Sequence, residues 1–206
     1  MGREFLRTML TPSVRDEQRR YYGRTYPDLG DGGTAEPLGP DELAFVAARD
    51  SFYMATVTEH GWPYVQHRGG PKGFLTGIEP DQLAFADYGG NRQLISTGSL
   101  EKDARVCLFL VDYPARQRLK ILGHAEVLDA RQHPELVERT APPGGHAATP
   151  ERIVRIRVHA FDWNCPKFIT PRYTGAEVEQ ALAPYRTRIT ELEHELRTLR
   201  AAKSSS

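Results

Sequence analysis

The chain has little to offer several common chemistries. It holds two cysteines, Cys107 and Cys165, far apart and without metal-ligand spacing, so neither a disulfide scaffold nor a zinc site is expected and a reduced, cytoplasmic setting fits best. No apolar run approaches the length of a membrane span. The first ten residues carry neither a long apolar core nor a small-residue cleavage site, so no signal peptide is expected. Excess charge is absent too. Twenty-seven Lys and Arg balance 27 Asp and Glu, so no global field draws the chain to nucleic acid or an anionic membrane, and any anion site must be local. No Gly-x-Ser-x-Gly elbow occurs, and Ser96, Ser99 and Cys107 have no evident base partner. His67, His124 and His159 stand on three separate strand-like runs without ligand spacing, so no metal is expected.

Three regions emerge from what is present. Residues 1–40 read as an N-terminal helix and linker, with the helix over 8–24 between a Thr11 cap, Pro12 in the first turn and a Gly23 stop. Residues 41–173 read as one β-rich domain. Asp41–Arg49 forms a short helix with Leu43, Val46 and Ala47 on one face, and a hairpin follows from Phe52 to Arg68 around Glu59-His60-Gly61. Further strands are predicted at Leu83–Tyr88, Arg105–Val111, Leu119–Leu128 and Ile153–Trp163. The nearly all-apolar Arg105–Val111 run predicts burial on both faces, while Ile153–Trp163 alternates as a half-exposed strand. Asn91–Leu100 reads as a helix capped by Asn91 with Leu94 and Ile95 inward, Pro134–Arg139 as a brief helix, and Pro142–Pro150 as a loop. With six or seven strands and mostly short connections, the fold class is mainly β (α+β): an antiparallel barrel with peripheral helices.

Residues 174–206 carry Val178, Leu182, Tyr185, Ile189, Leu192, Leu196 and Leu199 at alternating spacings of four and three, an a/d heptad seam. Pro184 predicts that the continuous helix begins there. The seam has two outlets, a second subunit or its own barrel.

Two strand ends break into glycine beside polar side chains. Gln66-His67-Arg68-Gly69-Gly70-Pro71 suits either close approach of a flat ring or a β-bulge at a barrel rim. Asp87-Tyr88-Gly89-Gly90-Asn91-Arg92-Gln93 suits either a phosphate at a helix start or a capped helix with a solvated arginine. The order of these segments, followed by Gln117-Arg118-Leu119-Lys120-Ile121-Leu122-Gly123-His124-Ala125-Glu126 and by Phe161-Asp162-Trp163-Asn164, resembles the pyridoxamine 5′-phosphate oxidase-like, FMN-binding split-barrel family over roughly Asp41–Tyr173.

The resemblance implies a split β-barrel homodimer with FMN at the interface. It implies that Gln66, His67, Arg68, Gly69, Gly70 and Pro71 line the ring and ribityl chain, with Asp87 nearby. It further implies that Arg92 and Gln93 meet the phosphate, that Arg118 reaches the ring, and that Trp163 comes from the partner; Asn91, beside Arg92, is a further candidate for the phosphate. Departures stand at Gln66, Pro71 and Gln93, where the oxidase pattern is basic, and at Cys165–Tyr173, which replaces its substrate-binding arginine motif. FMN binding carries over; oxidation of pyridoxamine phosphate does not. The expected activity is an FMN-dependent oxidoreductase of undetermined small-molecule substrate, with hydride transfer to flavin N5. No general acid or base is assigned; His67 and Tyr88 are the candidates. The alternatives are a deazaflavin in place of FMN, a non-catalytic flavin- or haem-binding carrier or sensor, and a dimeric interaction module.

Overall fold

The computed structural model describes residues 2–30, 33–90, 92–141, 148–163 and 167–204. Seven strands, β1 (Ser51–Val57), β2 (Pro63–Gly69), β3 (Thr76–Glu79), β4 (Gln82–Asp87), β5 (Arg105–Asp112), β6 (Gln117–Asp129) and β7 (Arg152–Trp163), form one antiparallel sheet in the order β2-β1-β5-β6-β7-β4-β3. Two-residue periodicity sends Phe52 and Met54 of β1, Leu108 and Leu110 of β5, and Leu119 and Ile121 of β6 to one face, where all are buried. Each such side chain contributes roughly 1.5–3 kcal/mol on leaving water. Phe52 meets Phe85 of β4 edge-on at 5.5 Å although β5, β6 and β7 lie between their strands. The sheet therefore curls on itself as a split barrel, with peripheral helices and a long C-terminal helix.

Gly123 explains one irregularity. The β6–β7 register shifts between Leu122 and Gly123, and a Cβ at Gly123 would stand 2.6 Å from the Arg157 carbonyl oxygen. Only glycine lets the two backbones approach there.

The helices are α1 (Arg3–Met9), α2 (Pro12–Tyr22), α3 (Pro40–Ala47), α4 (Ile95–Leu100), α5 (Pro134–Arg139) and α6 (Gly175–Ser204). The single helix expected over 8–24 is two helices. Thr11 accepts the Val14 N–H at 3.4 Å and caps α2 ahead of Pro12, and Gly23 ends it at φ 67. The preceding turns belong to α1, which packs against β7 and buries Phe5 under the Lys120 ammonium, 4.5 Å from the ring centre. Glu36 holds the start of α1 by accepting the backbone N–H groups of Arg3 and Glu4 at 3.1 and 3.3 Å.

Other expectations shift as well. In α3 it is Phe45 and Val46 that are buried, while Ala47 is exposed, because the helix leans its C-terminal half on the Trp163 ring. Strand β5 alternates instead; Val106, Leu108 and Leu110 are buried, while Cys107, Phe109 and Val111 on the other face are only half-buried, with the Arg118 guanidinium over the Phe109 ring. Helix α4 begins at Ile95, four residues after the expected Asn91, since Arg92 and Leu94 take left-handed backbone at φ 59 and 53. Leu94 and Ile95 are accordingly exposed. Helix α6 runs unbroken through Pro184 from Gly175. Of the loop expected over Pro142–Pro150, residues 142–147 lie outside the described residues.

Candidate functional site

Alternation along β2 sorts its residues. Tyr64, Gln66 and Arg68 turn one way and are half-buried, while Val65, His67 and Gly69 turn the other way and are exposed. The first set opens onto a cavity of about 440 Å³, whose wall also takes Asp87 and Tyr88 from the end of β4, Arg92, Gln93 and Leu94 from the following turn, and Ser96 and Thr97 from α4. That volume lies in the range of small-molecule sites.

Asp87 organises the cavity floor. Arg68 Nη1 donates to Asp87 Oδ1 at 3.1 Å, and Arg152 Nε donates to Asp87 Oδ2 at 2.9 Å. Arg152 faces Asp87 because the two are register partners across β4 and β7, and it also pairs with Glu151 at 2.8 Å. Burial pushes the Arg68 guanidinium down from its ordinary value against the pull of Asp87. Its Nε is buried with no hydrogen-bond partner, and the guanidinium lies 5.6 Å over the Phe85 ring. A buried N–H without a partner costs about 1–3 kcal/mol unless something accepts it. At the opposite wall the Ser96 hydroxyl donates to Gln66 Oε1 at 2.8 Å and fixes that amide. Burial pushes the Tyr88 phenol up, so it stays protonated and can donate.

Arg92 stands at the rim. It is exposed, makes no ion pair with the described residues, and adopts φ 59, a conformation rare outside glycine. Beside it a Cβ on Gly90 would meet nothing within 4 Å, so the mouth is open there. The cavity wall carries three arginines and two carboxylates, which leaves it one positive charge, in keeping with an anionic ligand.

The structure thus brings together Gln66, Arg68, Asp87, Arg92 and Gln93. It does not bring the other expected residues to this cavity. His67 lies on the outer face with its ring 5.6 Å from Tyr53, edge-on. Gly69 and Pro71 are exposed, and the space above Gly70 is filled by Phe74, which an added Cβ would meet at 2.7 Å. Arg118 lines a separate cavity of about 240 Å³ with Phe109, Tyr113, Phe168 and Arg172, its guanidinium 5.6 Å from the Phe109 ring centre. Trp163 packs on Phe45 and donates its indole N–H to Glu42 Oε1 at 2.7 Å. Asn91 lies outside the described residues.

Tyr64, Thr97, Glu151 and Arg152 line the cavity without having been expected there. Tyr64 was readable, two positions before Gln66 on the same strand face. Arg152 was not, because its place depends on a register between strands 65 residues apart in the chain. Among the described residues no group of three His, Cys, Asp or Glu could hold a metal ion, and the His124 and His159 rings meet edge-on at 6.2 Å.

Residues 39–165 match the family model described as pyridoxamine 5′-phosphate oxidase, well over half of the chain. The chain belongs to the pyridoxamine 5′-phosphate oxidase family. The match spans the barrel and every residue lining the 440 Å³ cavity, and leaves α1, α2 and α6 outside it. Among solved structures, HupZ from Group A Streptococcus is 13% identical with a TM-score of 0.49, over 67% of this chain and 100% of that one. A putative pyridoxamine 5′-phosphate oxidase from Lactobacillus delbrueckii is 18% identical with a TM-score of 0.47, over 61% and 93%. A conserved hypothetical protein from Mycobacterium tuberculosis is 15% identical with a TM-score of 0.48, over 70% and 96%. No curated protein matches the chain.

Proposed function

We propose that the cavity between β2, β4 and α4 holds the phosphate and ribityl end of FMN, and that the protein is a flavin-dependent oxidoreductase acting on a small molecule as a homodimer. One observation carries this reading. Gln66, Arg68, Asp87, Arg92 and Gln93, expected at an FMN site from their order in the sequence, line one positively charged cavity together with the family-matched strands. Members of this family commonly bind FMN.

The residues present fit the anionic end of that group. Arg92 sits at an open mouth with no ion pair among the described residues, Gln93 lies next to it, and the Thr97 hydroxyl adds a donor for phosphate oxygens, while the Ser96 hydroxyl stays engaged in orienting Gln66. Arg68 offers its unpartnered Nε deeper in. The flat ring needs apolar cover, and this chain supplies it on the outer sheet face, where Tyr53, Val65, Cys107, Phe109 and Val111 remain at least partly exposed. In the homodimer this reading requires, Arg118 and Trp163 would be the second subunit's contribution near the ring, as the family resemblance implies. When bound, FMN supplies hydride acceptance at N5. The chain's own residues bind and orient it, exclude water, and offer the Tyr88 hydroxyl as a proton donor at the cavity wall.

The test is the visible spectrum of the purified protein, with bands expected at roughly 370 and 450 nm for a flavin. Arg92→Ala removes one charge-assisted contact and should weaken FMN by about 1.5–3 kcal/mol, roughly 10- to 150-fold. A colourless protein that also fails to take up added FMN overturns the reading.

A further inference from the structure

We propose that α6 pairs in parallel, in register, with α6 of a second copy of this chain. The seven seam residues are all exposed, from 40% at Leu182 to 69% at Tyr185, and none packs on the barrel. Ala, Glu, Leu and Arg make up most of the 30 residues of this helix and favour the helical state despite Gly175 and Pro184. Even so, helical segments in proteins draw most of their stability from burying an apolar stripe. This stripe therefore needs cover.

The charges beside the stripe select what covers it. With Leu182, Ile189 and Leu196 at a positions and Val178, Tyr185, Leu192 and Leu199 at d, the g positions include Arg188 and Glu195 and the e positions Glu193 and Arg200. In a parallel pair each g residue faces the e residue five positions on in the other helix. Arg188 then faces Glu193 of the partner subunit, and Glu195 faces Arg200 of the partner subunit. Both couples are opposite in sign, and no like-charged g–e couple occurs. Within one chain Arg188 reaches Glu191 at 2.9 Å and Glu195 at 3.8 Å, exposed contacts that exchange readily for the interhelical ones. The outward positions carry Pro184, Thr187, His194 and Thr198, which keeps the proline off the seam. The pairing uses no residue of the cavity and holds whether or not the protein binds a flavin.

The test uses the full-length chain carrying Leu199→Cys. Symmetric d positions meet only in a parallel in-register pair, so mild oxidation should give a disulfide-linked dimer in high yield, while Ala201→Cys on the outward face should stay unlinked apart from the background of the unmodified protein. Adding Arg188→Glu, or separately Glu193→Arg, should lower the linked fraction several-fold. Mixing the two variants should restore it, since the mixed pair regains opposite charges. Circular dichroism on each variant confirms that it folds. Absence of the link, equal linking at the two cysteine positions, or indifference to charge reversal overturns the proposal in favour of a different partner or an antiparallel pair.

Discussion

Replacing Asp87 by Asn isolates what the cavity floor is for. The carboxylate stands between two guanidiniums at 3.1 and 2.9 Å, and the three side chains are only 15–20% exposed. Asparagine keeps the shape and removes the charge, so Arg68 and Arg152 would face each other with nothing between them but an amide. Arg68 is the more exposed to harm, because burial already disfavours its charged form and Asp87 is the largest influence opposing that. Charge-assisted hydrogen bonds contribute about 1.5–3 kcal/mol each, and breaking a buried ion pair from one side costs about 3–5 kcal/mol. Residual exposure and the Glu151 contact of Arg152 reduce the total, so a loss of about 3 kcal/mol is expected, a large share of an ordinary domain's stability. Arg152→Met should cost about half as much, since Asp87 keeps Arg68 and no buried charge is stranded. Urea unfolding followed by tryptophan fluorescence reads both, as a shift in midpoint with unchanged slope. If Asp87→Asn costs less than about 1 kcal/mol, the ion-pair account of the floor is wrong.

Three further outcomes are expected. Phe5→Ala should destabilise the whole protein by about 3 kcal/mol, the low end for a buried Phe, and detach α1 from β7; an unchanged melting temperature would show α1 to be an appendage. Asp103, held by a bidentate Arg105, should titrate at about 2 against an ordinary 3.8, so any stabilisation it gives is complete above the ordinary value and disappears as pH falls through about 2. NMR titration of its carboxyl carbon checks this, and Arg105→Ala should bring the midpoint back toward 3.8. Burial pushes the Cys107 thiol up, so iodoacetamide at neutral pH should modify the peptide containing Cys107 slowly in the native protein and rapidly once urea unfolds it.

The strands were legible because half-buried strands in antiparallel sheets alternate, and β1, β2, β6 and β7 do so plainly. Strand β3 was not, being four residues long with Gly77 inside it and a register shift at its end. The same two-residue rule, applied within the Gln66–Pro71 run, separates Gln66 and Arg68 from His67 and Gly69 on sequence grounds alone. The start of α4 was misplaced for a different reason. Asn91-Arg92 resembles a cap by residue type, but helix starts are set by backbone dihedrals, and two left-handed residues delay this one to Ile95. Most of the cavity came from local order in the chain. Arg152 came from long-range pairing, which periodicity does not encode.

The cavity lies across the slit of the barrel. Strand β2 is one rim of the sheet and β4 is the strand next to the other, and no ladder of backbone hydrogen bonds joins them. Polar side chains bridge the gap instead, the Arg68 guanidinium reaching Asp87 on β4 and the Gln66 amide receiving the Ser96 hydroxyl on α4. Whatever molecule sits among these groups fastens two margins that the main chain leaves unstitched. Occupancy should then be felt far from the contacts themselves, as slower amide exchange along β2 and β3 and as a melting temperature that climbs with ligand concentration, the unfolding free energy rising by about 2.7 kcal/mol at a hundredfold excess over the dissociation constant. The ligand would serve as a lacing as well as a reagent.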